Sequence, residues 1–383
     1  MTAQYRSPLA RFTGDANPYG GGEPYADYRT ADFPFTHHAN LADRRLGAGV
    51  IAANDEFFAQ RENLLVPERA EFDPEHFGHK GKIMDGWETR RRRGASADHP
   101  WPTAEDHDWA LVRLGAPGVV RGVLVDTAHF RGNYPQAVSI EGVSFPGSPS
   151  PEELLADDVK WTTLVPRTPV GGHAANGFTV SVEQRFTHLR VNQHPDGGIA
   201  RLRVHGEVVP DPAWLAALGT FDVVALENGG RAEDASNLFY SPATNSIQPG
   251  RPRAMHECWE TRRRRDQGHD WIRYRLAAQS EIRAIEIDTA YLKGNAAGWA
   301  SVSVRNGEKD GEGEREGDWT EVLPRTRLQP DTNHRFVLDT AAVATHARID
   351  IYPDGGISRL RLHGSLTEEG EAGLAARHRE LSD

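Results

Sequence analysis

Residues 109 to 115 read WALVRLG and residues 121 to 128 read RGVLVDTA. Their apolar side chains fall mostly at alternate positions, the period of a strand that turns one face to a core. β-Branched residues are frequent and Gly or Pro closes each run, so each stretch reads as a short strand ended by a turn. AVSIEGV at 137 to 143 continues the pattern, and WIRYRLA at 271 to 277, IRAIEIDTA at 282 to 290 and ASVSVRN at 300 to 306 give it a second time. Many short strands with turn signals between them indicate an all-β sandwich. Helical pattern is confined to DPAWLAALG at 211 to 219 and to the charged tail after Thr367, which is expected to fray in part.

The second set is one part of a duplication. WETRRRR at 87 to 93 recurs letter for letter at 259 to 265, each copy followed by HDW, at 107 to 109 and 269 to 271. DTAHFRGN at 126 to 133 returns as DTAYLKGN at 288 to 295, and THLRVNQHPDGGIARLRVHG at 187 to 206 returns as THARIDIYPDGGISRLRLHG at 345 to 364. Chain order is kept while the offset falls from 172 residues (Trp87 to Trp259) to 162 (His107 to His269) and 158 (Thr187 to Thr345), so the copies differ by loop insertions. A fainter echo, FFAQRENLLVP at 57 to 67 against FYSPATNSIQP at 239 to 249, carries the match upstream. Each unit is the size of a domain and far longer than a solenoid repeat.

A chain of 383 residues exceeds what one hydrophobic core usually organises, which agrees with two domains. Its 55 acidic residues outweigh 44 basic ones, for a net charge of -11. Nucleic-acid binders carry a basic excess, so the arginine quartets point to a local anion site and no nucleic-acid partner is expected. The single cysteine, Cys258, excludes an internal disulfide and a cysteine zinc cluster, and fits a reducing compartment. The opening MTAQYRSPLARF has no apolar run of signal-peptide length and no later run approaches a membrane span, so a cytoplasmic protein with no membrane partner is expected.

The order of the strands resembles a jelly roll of the galactose-binding, discoidin-like type, with VIAANDEFFA at 50 to 59 as its first strand, DGWET at 85 to 89 as a loop and WALVRLG as the strand ending in Leu-Gly. The doubled set of W-E-T-R-R-R-R, H-D-W, D-T-x-x-x-x-G-N and P-D-G-G-I-x-R-L-R is more specific. It resembles the allantoicase family over nearly the whole chain. That resemblance implies two tandem jelly-roll β-sandwich domains, usually in a homo-oligomer. It also implies an enzyme of purine and allantoin degradation that hydrolyses allantoate to ureidoglycolate and urea. The expected division is an N-terminal extension over 1–30, a first repeat over 31–209, a linker over 210–220, a second repeat over 221–365 and a tail over 366–383.

Allantoate is a small anion whose carboxylate-bearing carbon also holds two ureido groups. Arginine suits the carboxylate because its planar fork pairs with it bidentately. The expected substrate ligands are therefore Arg90, Arg91, Arg92 and Arg93, with Arg262, Arg263, Arg264 and Arg265. Alternation in an extended segment allows only about half of each quartet to face one ligand, either Arg90 with Arg92 or Arg91 with Arg93. The competing reading is a structural arginine ladder tied into carboxylates. Breaking the C–N bond requires a proton for the departing urea and an activated water. Glu88 and Glu260 are candidates for that work. His107 with Asp108 and His269 with Asp270 resemble an imidazole beside a carboxylate, although a turn in which Asp caps the next strand reads equally well. Asn133 and Asn295 are candidate donors to a ureido carbonyl, whereas Asp196 and Asp354 lie in strong turn sequences. The copies differ at His129/Tyr291, His194/Tyr352 and Asp85-Gly86/Glu257-Cys258. The loss of histidines from the second copy assigns acid–base work to the first, with His129 as its favoured residue.

No metal ligand set is legible: His-x-His, His-Glu-x-x-His and cysteine clusters are all missing. No cofactor is required on this reading, and activation by a divalent cation is left open. The alternative function is a non-catalytic jelly-roll module for a small anionic or sugar ligand, which exposed aromatic platforms would favour and converging arginine and histidine would oppose.

Overall fold

The computed structural model describes residues 6–7, 33–307 and 318–382. The extension expected over residues 1 to 30 lies outside the described residues except for Arg6–Ser7. Two compact units meet in the sequence between Glu207 and Val208. Each is an antiparallel β-sandwich of jelly-roll type, and each is organised by one long strand.

In the first unit that strand is Asp108–Asp126, 19 residues. Its first half pairs with Gly49–Ala53 on one side and Arg185–His194 on the other. Ala137–Val143 and Thr162–Pro169 extend this layer beyond Arg185–His194. Its second half pairs with Ala175–Thr179 and belongs to the other layer. WALVRLG and RGVLVDTA are thus one strand and not two. The register jumps from Gly118, opposite Phe186, to Arg113, opposite His188, and Pro117 is accommodated in that irregular stretch, where a residue without an N–H breaks no ladder bond. Val123, Leu124 and Val125 are consecutive and fully buried, so this half is covered on both faces. Each such side chain contributes about 1.5–3 kcal/mol of burial.

The second unit repeats the plan. Asp270–Asp288 pairs with Arg231–Ala235 and with both halves of Asn333–Tyr352, and its second half also pairs with Arg359–Leu366. WIRYRLA and IRAIEIDTA are again one strand. Asn333–Tyr352 is continuous over 20 residues, whereas its counterpart is split into Ala175–Thr179 and Arg185–His194. DPAWLAALG forms the helix Pro212–Leu218, started by the Asp211 side chain, which accepts from Ala213 N. The tail after Thr367 is not frayed: it forms the 15-residue helix Glu368–Ser382, with Glu368, Glu369 and Glu371 in its first turn, where the helix dipole favours them.

Two short pairings place the arginine loops. Trp87–Glu88 pairs with Gly198–Ile199, and Trp259–Glu260 pairs with Gly356–Ile357, so each W-E-T loop lies against its own P-D-G-G turn. Trp87 and Trp259 are fully buried, with their indole N–H groups donated to the carbonyls of Asp55 (2.8 Å) and Asn237 (2.9 Å). The first arginine of each R-L-R, Arg201 or Arg359, is also buried. Arg201 donates to Asp85 at 2.8 Å and Arg359 to the carbonyl of Glu257 at 3.0 Å, fastening the segment that enters each loop.

Candidate active site

A cavity of about 840 Å³ opens in the first unit. Its lining includes Glu88, Thr89, Arg91–Arg93, Arg131, Asn133, Asp196 and Gly197, together with His129, Lys82 and the aromatic Phe58 and Tyr134.

The quartet divides by parity. Arg90 is bound to Asp55 through both its backbone N–H (3.0 Å) and its Nε (2.6 Å). Arg92 donates its backbone N–H to Asp196 at 2.7 Å and its guanidinium to Asp108, at 3.0 and 2.7 Å, and to Asp106 at 3.3 Å. Arg91 and Arg93 remain exposed on the cavity lining, and both act electrostatically on Asp196. Arg90 and Arg92 thus carry the ion pairs of a ladder, with Arg92 also bordering the cavity, while Arg91 and Arg93 are exposed there.

Glu88 is the titratable group the cavity perturbs most. Burial pushes its carboxyl up to about 7, against the opposing pull of a hydrogen bond from Asn133 and the charge of Arg91. Asn133 Nδ2 donates to Glu88 Oε1 at 2.8 Å, so part of the donor capacity expected for a ureido carbonyl is committed to the acid. His129 has a left-handed backbone (φ 67°), held by a 2.9 Å bond from its N–H to His173 Nδ1. Burial is the main cause that holds its imidazole below the usual histidine range, with Arg131 acting in the same direction.

The cavity does not include His107, and the expected His107–Asp108 pair does not form. His107 Nδ1 faces the carbonyl of Glu105 at 2.8 Å, while Asp108 accepts from Arg92 and, at 2.8 Å, from Asn54. Neighbours at the start of a strand point to opposite faces, which separates the two. Sequence reasoning missed Arg131 and Lys82. Arg131 is only 6% exposed and borders the cavity, and its position inside the repeated D-T-x-x-x-x-G-N was the available signal.

The allantoicase repeat model matches residues 39–209 and 221–367. A probable allantoicase of Streptomyces avermitilis is 84% identical over 381 residues, covering 100% of both chains. The chain belongs to the allantoicase family. A probable allantoicase of Nocardia farcinica is 49% identical, over 88% of this chain and 97% of its own. The crystal structure of the allantoicase of Saccharomyces cerevisiae matches with a TM-score of 0.70 at 30% identity, covering 85% of this chain and 92% of that one.

The second allantoicase repeat keeps the frame and changes the contents. Arg264 N donates to Asp354 at 2.6 Å and its guanidinium to Asp270 at 2.9 Å, the same tie as Asp196–Arg92–Asp108. Asp270 also accepts from Ser236 at 2.8 Å, and His269 bonds Asp350 at 2.8 Å, so His269 and Asp270 are no pair either. Arg262 N donates to Asn237 at 3.4 Å, while Arg263 and Arg265 have the parity of Arg91 and Arg93. Asn295 Nδ2 points to Met255 Sδ at 3.4 Å and not to Glu260. Tyr291 copies the left-handed turn of His129 (φ 67° in both) but is 47% exposed. Gly86 has no room for a side chain, since a Cβ there would come within 2.7 Å of the Phe130 ring. In the second repeat Leu292 and Cys258 stand at the positions of Phe130 and Gly86, and the buried Cys258 thiol lies 3.4 Å from the Ser358 hydroxyl and 3.6 Å from the carbonyl of Ala290. Among the described residues, no group of three or more His, Cys, Asp or Glu is placed to hold a metal ion, and no helix is long and apolar enough to cross a membrane.

Proposed function

We propose that this allantoicase-family hydrolase cleaves allantoate to ureidoglycolate and urea in the cavity of its first repeat. Arg91, Arg93 and the buried Arg131 provide cations for the substrate carboxylate, and the carbonyl of the Asn133 side chain is available to a ureido N–H. A carboxyl with a pKa near 7 is partly protonated at neutral pH, which suits it to hand a proton to a departing nitrogen. Glu88 is assigned that role, and His129, kept neutral, accepts the proton of the attacking water. The water oxygen bonds to the central carbon as one C–N bond breaks. The urea nitrogen leaves with the proton from Glu88, and the one proton His129 took from the water passes by way of solvent to Glu88, which resets both groups for the next turnover. Arg90, Arg92 and Asp108 hold the loop in place.

The observation that carries this reading is the raised Glu88 carboxyl inside a cation-lined cavity. It also disfavours the sugar-binding alternative, since charged groups converge there. Homo-oligomeric assembly, a cytoplasmic location and independence of any cofactor are further parts of the proposal, resting on the family and on the side-chain chemistry above. The test is to incubate the purified chain with allantoate, with and without chelator, and to quantify urea, ureidoglycolate and ammonia. Equimolar urea and ureidoglycolate, lost in Glu88→Gln while substrate still binds, is the expected result. Full turnover by Glu88→Gln removes this site.

A further inference from the structure

The two repeats differ in length directly beside the site. The offset is 182 residues between Phe57 and Phe239 but 172 between Trp87 and Trp259, so the first repeat carries a longer connection in this interval. Within that connection Phe77–Gly78 pairs with Gly81–Lys82 in a hairpin. Gly81, at φ 123°, supplies the backbone that side-chain-bearing residues rarely adopt. Gly81 and Lys82 form part of the cavity wall. The hairpin is fixed from below, because the Phe72 ring stacks on His129 with centroids 5.2 Å apart and planes 10° from parallel. Met84 on its return is buried in the cluster that contains Phe130.

Lys82 is held unusually firmly for a lysine. Its ammonium donates to the backbone carbonyls of Asp73 and His76 and lies 4.8 Å from the Phe72 ring centre and 4.7 Å from that of Phe77. An ammonium has three donors, and two backbone acceptors leave one N–H to offer. A cation fixed in this way binds an anion without the entropy cost of ordering a free lysine chain.

We propose that Lys82 is a specificity-determining residue that binds the carboxylate of the ureido-acid substrate, so that the hairpin, which the corresponding residues 240–258 of the second repeat lack, helps the first repeat to select anionic over neutral ureides. This rests on the cavity being the allantoate site. The test measures steady-state kinetics with allantoate for Lys82→Met, which keeps the apolar stem, and Lys82→Arg, beside Glu88→Gln as the control for the site. The expected result is a KM raised about 10- to 100-fold in Lys82→Met with kcat within about 2-fold of the parent, and partial recovery in Lys82→Arg. A KM unchanged in Lys82→Met, or a fall in kcat at constant KM, overturns the assignment of Lys82 if Glu88→Gln is inactive. Full activity in Glu88→Gln overturns the site reading and this one with it.

Discussion

In the first repeat Asn133 donates to Glu88, a histidine lies under Phe72, and a hairpin closes one side of a cavity; in the second, Asn295 turns to Met255 and Tyr291 is exposed. Yet both copies of W-E-T-R-R-R-R are fastened alike, through a buried tryptophan, an aspartate of the P-D-G-G turn and an aspartate at the start of the long strand. The most conspicuous repetition in the sequence therefore marks shared scaffolding in half of its arginines. The positions that are not repeated mark where the two copies part company in chemistry.

The comparison can be broken most directly at the two glutamates. Glu88→Gln is expected to lower kcat by about 10³-fold or more, beyond the usual 10²–10⁴ range's lower end for one acid–base group, while Glu260→Gln stays within about 3-fold. Equal losses in the two variants, read as urea release under saturating allantoate, would give the repeats equal catalytic standing. A symmetrical effect is expected where the scaffold is shared. Arg201→Met and Arg359→Met should each cost about 3 kcal/mol in denaturant unfolding, because each strips a buried set of acceptors of its donor. A difference much larger than 1 kcal/mol between them would mean that the two fastenings are not equivalent. Next in size, Arg91→Ala and Arg93→Ala should each raise KM about 10- to 100-fold with folding intact, and Arg263→Ala and Arg265→Ala should not.

The last effect is thermal. The Glu88 carboxyl has its pKa raised from 4.5 to about 7 in the folded chain, so across that window the folded state keeps a proton that the unfolded chain has released. Stability from this group consequently falls as pH rises from 4.5 to 7 and stays lower above. Glu88→Gln removes the penalty. Its Tm should exceed that of the parent at pH 8 and match it at pH 4; the opposite order would show that the Glu88 carboxyl is not the buried acid described.

Fold and site were unequally legible. The period-two runs placed the strands and the duplication placed the repeats, but the runs on either side of Pro117 fused into one strand because sheet pairing overrode a local turn signal. Glu88 was legible as a candidate beside the arginines, and its carboxyl does line the cavity. Which arginines point at a ligand was not, since Arg92 is claimed by Asp196, a residue 104 positions away that ordinary turn chemistry explained equally well. His107 and Asp108 misled by adjacency, the arrangement that a strand pulls apart. Lys82 carried no motif at all, and only the hairpin around it gives its charge a place in the cavity.

The tie from Asp354 through Arg264 to Asp270 leaves Arg263 and Arg265 out of the fastening of their loop. On the proposed function, substitutions at those two positions leave both folding and the turnover of the first repeat unchanged, which would make the second repeat a surface on which selection, natural or from a library, can try new ligands.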